Sequence, residues 1–153
     1  RMIIRLSSVF GYIRLHQRCG LIPTLLLNGL THRITTISGR MTTLRDFVWV
    51  EDVASFLLNR IRLNDYRDGE VLTLARGLPT SIIEAQSLVE SALGSRTYIV
   101  YPRGADNDQD ITFSPAMLPN SWTLTDLRIA TQLVLRDVVT HGQASALVTN
   151  RTH

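Results

Sequence analysis

Two arginines flank apolar runs at points where a strand would begin or end. Arg45 precedes Asp46 and the run Phe47-Val48-Trp49-Val50, and Arg103 follows Tyr101-Pro102 with Gly104 behind it. A guanidinium is permanently charged and presents a planar fork of donors that matches phosphate or carboxylate. Two such forks at separate strand ends could converge on one diphosphate, whose charge a single guanidinium does not satisfy. Each arginine also has a plainer reading. Arg45 could pair with a nearby surface acid, worth about 0–1 kcal/mol, and Arg103 could be an ordinary loop charge, with Gly104 allowing a ligand close approach only if one is there. Spacing alone leaves both readings open.

The choice of cation narrows the chemistry. All 16 residues counted as Lys+Arg are arginines, so the chain contains no lysine. Schiff bases, a Walker-type phosphate loop and a lysine general base are excluded. The net charge of +3 and the pI of 9.6 suit an anionic partner. The arginines run from Arg1 to Arg151 without an aromatic ladder between them. That argues against nucleic-acid binding, which would also carry a steep salt dependence. His16, Cys19, His32 and His141 lack the paired spacing of a zinc site. Asp106, Asp108 and Asp110 alternate as in a calcium loop, but Ile111 stands where glycine is required and Met117 where glutamate closes the loop. A solvated turn is the reading that remains. Asn150-Arg151-Thr152 matches a glycosylation sequon, a pattern common by chance.

These side chains need a scaffold. At 153 residues and 17.2 kDa the chain has room for one domain, and 44% hydrophobic with 19% charged residues is a globular composition. The longest nearly apolar stretch, Leu21–Leu27, contains Pro23 and Thr24 and falls short of the roughly 18 apolar residues of a membrane span. No signal-peptide pattern opens the sequence, and a single cysteine favours a reducing, cytoplasmic setting. Met2 to Gly11 starts at once as an apolar strand of the kind buried in a parallel sheet. With little upstream sequence to supply its neighbours, the chain reads as part of something larger.

Leu21–Leu30 reads as a helix with Pro23 in its first turn. Strands are expected at Ile34–Ser38, Asp46–Val50, Val71–Ala75 and Thr97–Tyr101. Val53, Phe56, Leu57 and Ile61 form one helical face. Ser81 and Glu84 make a capping box that opens a helix ending at Gly94, with Ala85, Leu88, Val89 and Ala92 inward. Thr123–Asp126 starts a last helix carrying Leu127, Ala130, Leu133, Val134 and Val138, and the tail from His141, lacking a periodic face, is expected to fray. Strands alternating with helices predict an α/β fold.

The order Ile4-Arg5-Leu6-Ser7-Ser8-Val9-Phe10-Gly11, Gly20-Leu21-Ile22-Pro23, Ile37-Ser38-Gly39, then Arg45-Asp46-Phe47-Val48-Trp49-Val50-Glu51-Asp52-Val53-Ala54 resembles the extended short-chain dehydrogenase/reductase family. More narrowly, residues 2 to about 104 resemble the C-terminal half of an NAD-dependent nucleotide-sugar epimerase or dehydratase. The resemblance implies a partial Rossmann-like sheet, its last parallel strands, plus the small C-terminal substrate-binding domain. It assigns 1–19 and 46–76 to the remnant of the dinucleotide-binding sheet, and 20–45 and 77–140 to the substrate-binding part.

On that resemblance Arg45 and, less closely, Arg103 would contact the nucleotide diphosphate. Thr36, Ile37 and Ser38 would border the base, and Leu21 and Ile22 would line the diphosphate pocket. Ser8 stands where the family has asparagine, Tyr12 replaces the usual proline, and Asp106–Asp110 departs from the usual loop. The family's glycine turn and its Tyr/Lys pair are missing from the sequence, so no catalytic residue is expected here. NAD or NADP would belong to the intact parent, together with the N-terminal half and a homodimeric assembly. The expected function is therefore binding of a nucleoside-diphosphate sugar without turnover. The competing expectation is a non-catalytic relative serving as a binding or regulatory module. An isolated chain is expected to fold poorly or to associate through its Met2–Phe10 edge.

Overall fold

The computed structural model describes residues 1–12, 20–65, 67–102 and 109–149, with side chains described to 141. It is a mixed α/β structure built on short strand pairs. The apolar N-terminal run forms not one strand but two, β1 (Ile3–Leu6) and β2 (Ser8–Phe10). The break falls at Ser7, where the chain changes partner. The Ser7 amide still bonds the Leu74 carbonyl at 3.1 Å, whereas the Ser8 amide bonds the Asp46 carbonyl at 2.9 Å. β1 runs parallel to β6 (Val71–Leu74), and β2 runs parallel to β5 (Phe47–Trp49). A second group of pairs joins β3 (Ile34–Thr36) in parallel to β8 (Tyr98–Val100), and β4 (Leu44–Arg45) antiparallel to β7 (Thr80–Ser81).

β5 is buried on both faces, as parallel strands usually are. Phe47 turns towards a core shared by α1 (Leu21–Leu30), α3 (Ile82–Leu93) and α4 (Leu127–Thr149), where Leu25, Leu26, Ala85, Val89, Ala130 and Val134 meet. Val48 turns the other way, to Val53 and Phe56 of α2 (Val50–Arg62), Leu74 and Trp122. Trp122 is locked there, its ring edge-on to Phe56 at 5.3 Å and its indole N–H donating to the Ala75 carbonyl at 2.6 Å. The start of α4 is tied to α2 by Asp52, which accepts from the Thr125 amide at 2.9 Å and the Thr125 hydroxyl at 2.7 Å.

The capping box at the head of α3 is present as expected, with the Ser81 hydroxyl and Glu84 carboxylate bonded to each other's backbone amides. Gly94 closes the helix in a left-handed conformation at φ 67°, where a Cβ would be strained. Three expectations need correction. Ile61 is 63% exposed, because Val48, Leu74 and Trp122 cover α2 only as far as Leu57. Ala92 and Leu133 are half-buried at the edges of their helical faces, whereas half-buried Leu88 packs against the core as expected. The helix expected to fray from His141 continues to Thr149, and His141 stacks its ring on Tyr12 at 6.1 Å.

Candidate functional site

Arg45 and Asp46 are neighbours in an extended segment, so their side chains leave opposite faces. Asp46 points inward and is fully buried. Its two carboxylate oxygens each accept one backbone amide, from Arg76 at 2.7 Å and from Gly77 at 2.7 Å. Arg45 points the other way and is half-buried. Its Nη1 donates to the Leu44 carbonyl at 2.9 Å and to the Gln109 carbonyl at 2.6 Å. The 109–111 segment is clipped onto β4 by two more bonds. The Leu44 amide donates to Asp110 Oδ1 at 2.8 Å, and the Ile111 amide donates to the Leu44 carbonyl at 3.0 Å.

This anchoring fixes the guanidinium and spends its Nη1 donors, leaving the Nε and Nη2 edge for another acceptor. Both anchors are neutral carbonyls, so they orient the charge without cancelling it. Among the described residues no carboxylate forms an ion pair with Arg45. The reading of Arg45 as the partner of a surface acid is not met there.

Arg45 lines a cleft of about 360 Å³. Ser8, Val9 and Phe10 of β2 form one wall, brought beside Arg45 by the β2–β5 register that pairs Ser8 with Phe47. Ile37 and Ser38, just past β3, and Ile82 at the head of α3 form others. Gly20 and Leu21 bring the N-terminus of α1 into the same space. Gly20 caps that helix at φ 84° and supplies no side-chain acceptor, so the first amides of α1 have no capping partner. An uncapped helix N-terminus attracts anions. Its positive end and the Arg45 edge thus share one cleft with apolar walls and two serine hydroxyls. Among its described lining residues there is no His, Cys, Asp or Glu, so the cleft can hold an anion but offers no strong acid or base.

Of the residues singled out from sequence, Arg45, Ser8, Leu21, Ile37 and Ser38 line this cleft together. Ile22 does not, being fully buried in the helical core with Leu25 and Leu26. Thr36 ends β3 with its side chain exposed and its backbone in register with Val100. Arg103 lies outside the described residues, as do Gly104, His16, Cys19, Asp106, Asp108 and Asn150-Arg151. Tyr101, two positions before Arg103, has a buried hydroxyl with no hydrogen-bond partner among the described residues, and burial pushes its pKa up. Gly20, Phe10, Phe47, Ile82 and the 109–111 clip are additions of the structure. Phe10, Gly20 and Phe47 stood inside the motifs read from sequence, whereas Ile82 and the clip carried no such signal.

A nicotinamide dinucleotide finds no fit in these residues. The helices that directly follow strands, α2 and α3, open at Trp49 and Ser81 with no glycine turn, and the first amides of α3 are spent, those of Ile82 and Ile83 on the Thr43 and Met41 carbonyls at 3.2 and 3.0 Å and that of Glu84 in the capping box. Among the described residues no group of three or more His, Cys, Asp or Glu could hold a metal ion, and no helix is long and apolar enough to cross a membrane.

The architecture is that of nucleotide-sugar epimerase structures over a little under half their length. MoeE5, solved with UDP-glucose and NAD, superposes with a TM-score of 0.74 at 23% identity, covering 95% of this chain and 48% of that one. The UDP-glucuronic acid 4-epimerase of Bacillus cereus, solved with a fluorinated UDP-glucuronic acid and NAD, gives 0.72 at 19% identity, covering 91% and 45%. The UDP-glucose 4-epimerase of Thermotoga maritima, solved with UDP-glucose, gives 0.68 at 18% identity, covering 91% and 46%. The resemblance read from the motifs therefore holds at the level of fold. No protein-family model matches the chain, and no curated protein matches it in sequence.

Proposed function

We propose that the chain is the nucleoside-diphosphate-sugar-binding half of an NAD-dependent sugar epimerase or dehydratase. The observation that carries this reading is the shared cleft, where an oriented, uncompensated guanidinium edge and an uncapped helix N-terminus meet. A pyrophosphate linker needs that pairing of positive groups, and the apolar walls suit a nucleoside beside it. Support also comes from the fold shared with two UDP-sugar 4-epimerases solved with UDP-sugars, one of them also with NAD, and with MoeE5, solved with UDP-glucose and NAD. NAD, which supplies transient oxidation of the sugar when bound, would be held by polypeptide outside these 153 residues, as would the proton-transfer groups. This chain's part is to bind and orient the nucleotide. A cytoplasmic location and a homodimeric parent belong to the same reading.

Calorimetric titration of the chain with UDP-glucose, UDP and glucose tests it. UDP-glucose and UDP are expected to bind and glucose is not. Arg45→Ala removes charge-assisted hydrogen bonds worth about 1.5–3 kcal/mol, a loss of roughly tenfold to a hundredfold in affinity. UDP affinity unchanged by Arg45→Ala would overturn the assignment. Steady sugar turnover by the chain supplied with NAD would overturn the division of labour.

A further inference from the structure

A second cleft, of about 400 Å³, lies between the segment carrying Arg76 and Thr80, helix α3 and the start of α4. One of its lining residues, Thr80, pairs in the β4–β7 ladder with Arg45 of the first cleft. Arg76 and Arg128 both line it. Their backbones are pinned by carboxylates, the Arg76 amide by buried Asp46 at 2.7 Å and the Arg128 amide by Asp126 at 2.9 Å. Their guanidinium groups make no hydrogen bond or ion pair among the described residues.

Two acids line the same space, so net charge alone does not favour an anion. What differs is which groups are already committed. Glu84 Oε2 takes the Ser81 amide at 2.7 Å and the Ser81 hydroxyl at 2.6 Å. Asp126 Oδ1 takes the amides of Arg128 at 2.9 Å and Ile129 at 3.3 Å. These acids serve helix ends, whereas the unspent donors of the cleft are the two guanidinium forks. Ser87, whose hydroxyl donates to the Ile83 carbonyl at 3.0 Å, keeps its oxygen lone pairs free.

We propose that this cleft is a second anion site, taking the phosphate monoester of a small polyhydroxylated molecule. A phosphate monoester carries up to two charges and three oxygens, which two planar forks can share. The free carboxylate oxygens and serine hydroxyls along the wall accept and donate to the ligand's hydroxyls. Buried Leu127 and half-buried Leu88 form an apolar floor for its carbon skeleton. The site is separate from the one that would hold the nucleotide, and its occupant is a different molecule.

Titration of the chain with glucose 6-phosphate, glucose and inorganic phosphate is the test, with circular dichroism as the check on folding. Glucose 6-phosphate is expected to bind, glucose not, and inorganic phosphate more weakly than the ester. The double variant Arg76→Gln/Arg128→Gln should weaken the ester at least tenfold, while Arg45→Ala leaves it unchanged. Arg128 is exposed, so Arg128→Gln alone, expected to weaken binding severalfold, keeps the test valid if the double variant misfolds. Ester binding that survives the arginine substitutions, or that Arg45→Ala abolishes, would overturn the proposal. So would displacement of the ester by UDP-glucose in simple competition. Equal affinity for phosphate and its ester would refute the polyol part.

Discussion

At the residue scale, the adjacent pair Arg45-Asp46 does two unrelated jobs, and the parity of one extended segment separates them. The arginine edge is a binding group, whereas Asp46 is structural. Deleting the buried carboxylate strands the Arg76 and Gly77 amides away from water, and a buried unpaired polar group costs about 1–3 kcal/mol. Asp46→Ala is therefore expected to lower unfolding free energy by at least about 2 kcal/mol in urea denaturation. Asp46→Asn should recover only part, because its amide nitrogen would face one of two donors that both need an acceptor. The sequence block made both residues conspicuous. It did not reveal which one faced inward, since that depends on the strand's position against β2 and the 75–77 segment. The 109–111 clip on Arg45 was equally invisible, its partners lying 64 to 67 positions away along the chain.

At the scale of elements, legibility follows how local the determining chemistry is. The α3 capping box and its Gly94 terminus were readable because every participant lies within the helix or its next residue. Ser81→Ala should cost about 1 kcal/mol, again read from urea denaturation. The bracing between α3 and β8 was not readable, because its pieces come from two elements. Glu90 Oε1 accepts the Thr97 amide at 2.8 Å, the Thr97 hydroxyl at 3.1 Å and the Gln86 side-chain amide at 3.1 Å, while Arg96 approaches Oε2 at 3.3 Å. Burial raises the Glu90 pKa, but these donors and the Arg96 charge outweigh it, and the carboxyl titrates below its ordinary 4.5. A depressed pKa gives stability that is present above the unfolded value and lost as pH falls through the folded one. Wild-type stability is thus expected to drop on acidification below about pH 4.5. Glu90→Gln, which keeps an acceptor but cannot titrate, should flatten that part of the pH profile. An unchanged slope in Glu90→Gln would assign the acid sensitivity elsewhere.

At the scale of the whole molecule, exposed apolar surface includes the open edge of the sheet at β1. β1 pairs only with β6 among the described residues, and Ile3 and Leu6 are 51% and 48% exposed. Parallel strands are normally covered on both faces and both edges. The open edge of β1 presents unpaired amides and carbonyls beside apolar side chains, the arrangement that templates strand addition. The far end of α2 adds Leu58, Ile61 and Leu63, all exposed. The α/β alternation seen in sequence placed β1 in a sheet, but the switch of partner at Ser7 made it an edge strand, a consequence of pairings some 40 and 70 residues distant that no local pattern records. The chain alone is therefore expected to self-associate, its sedimentation coefficient rising with concentration. Ile3→Lys/Leu6→Lys should hold it monomeric, since charge on an edge strand opposes addition of another. Neither position lines the Arg45 cleft, so UDP binding should be the same in the variant. A wild-type chain that stays monomeric over the whole concentration series and melts in one sharp transition would show that the β1 edge needs no cover.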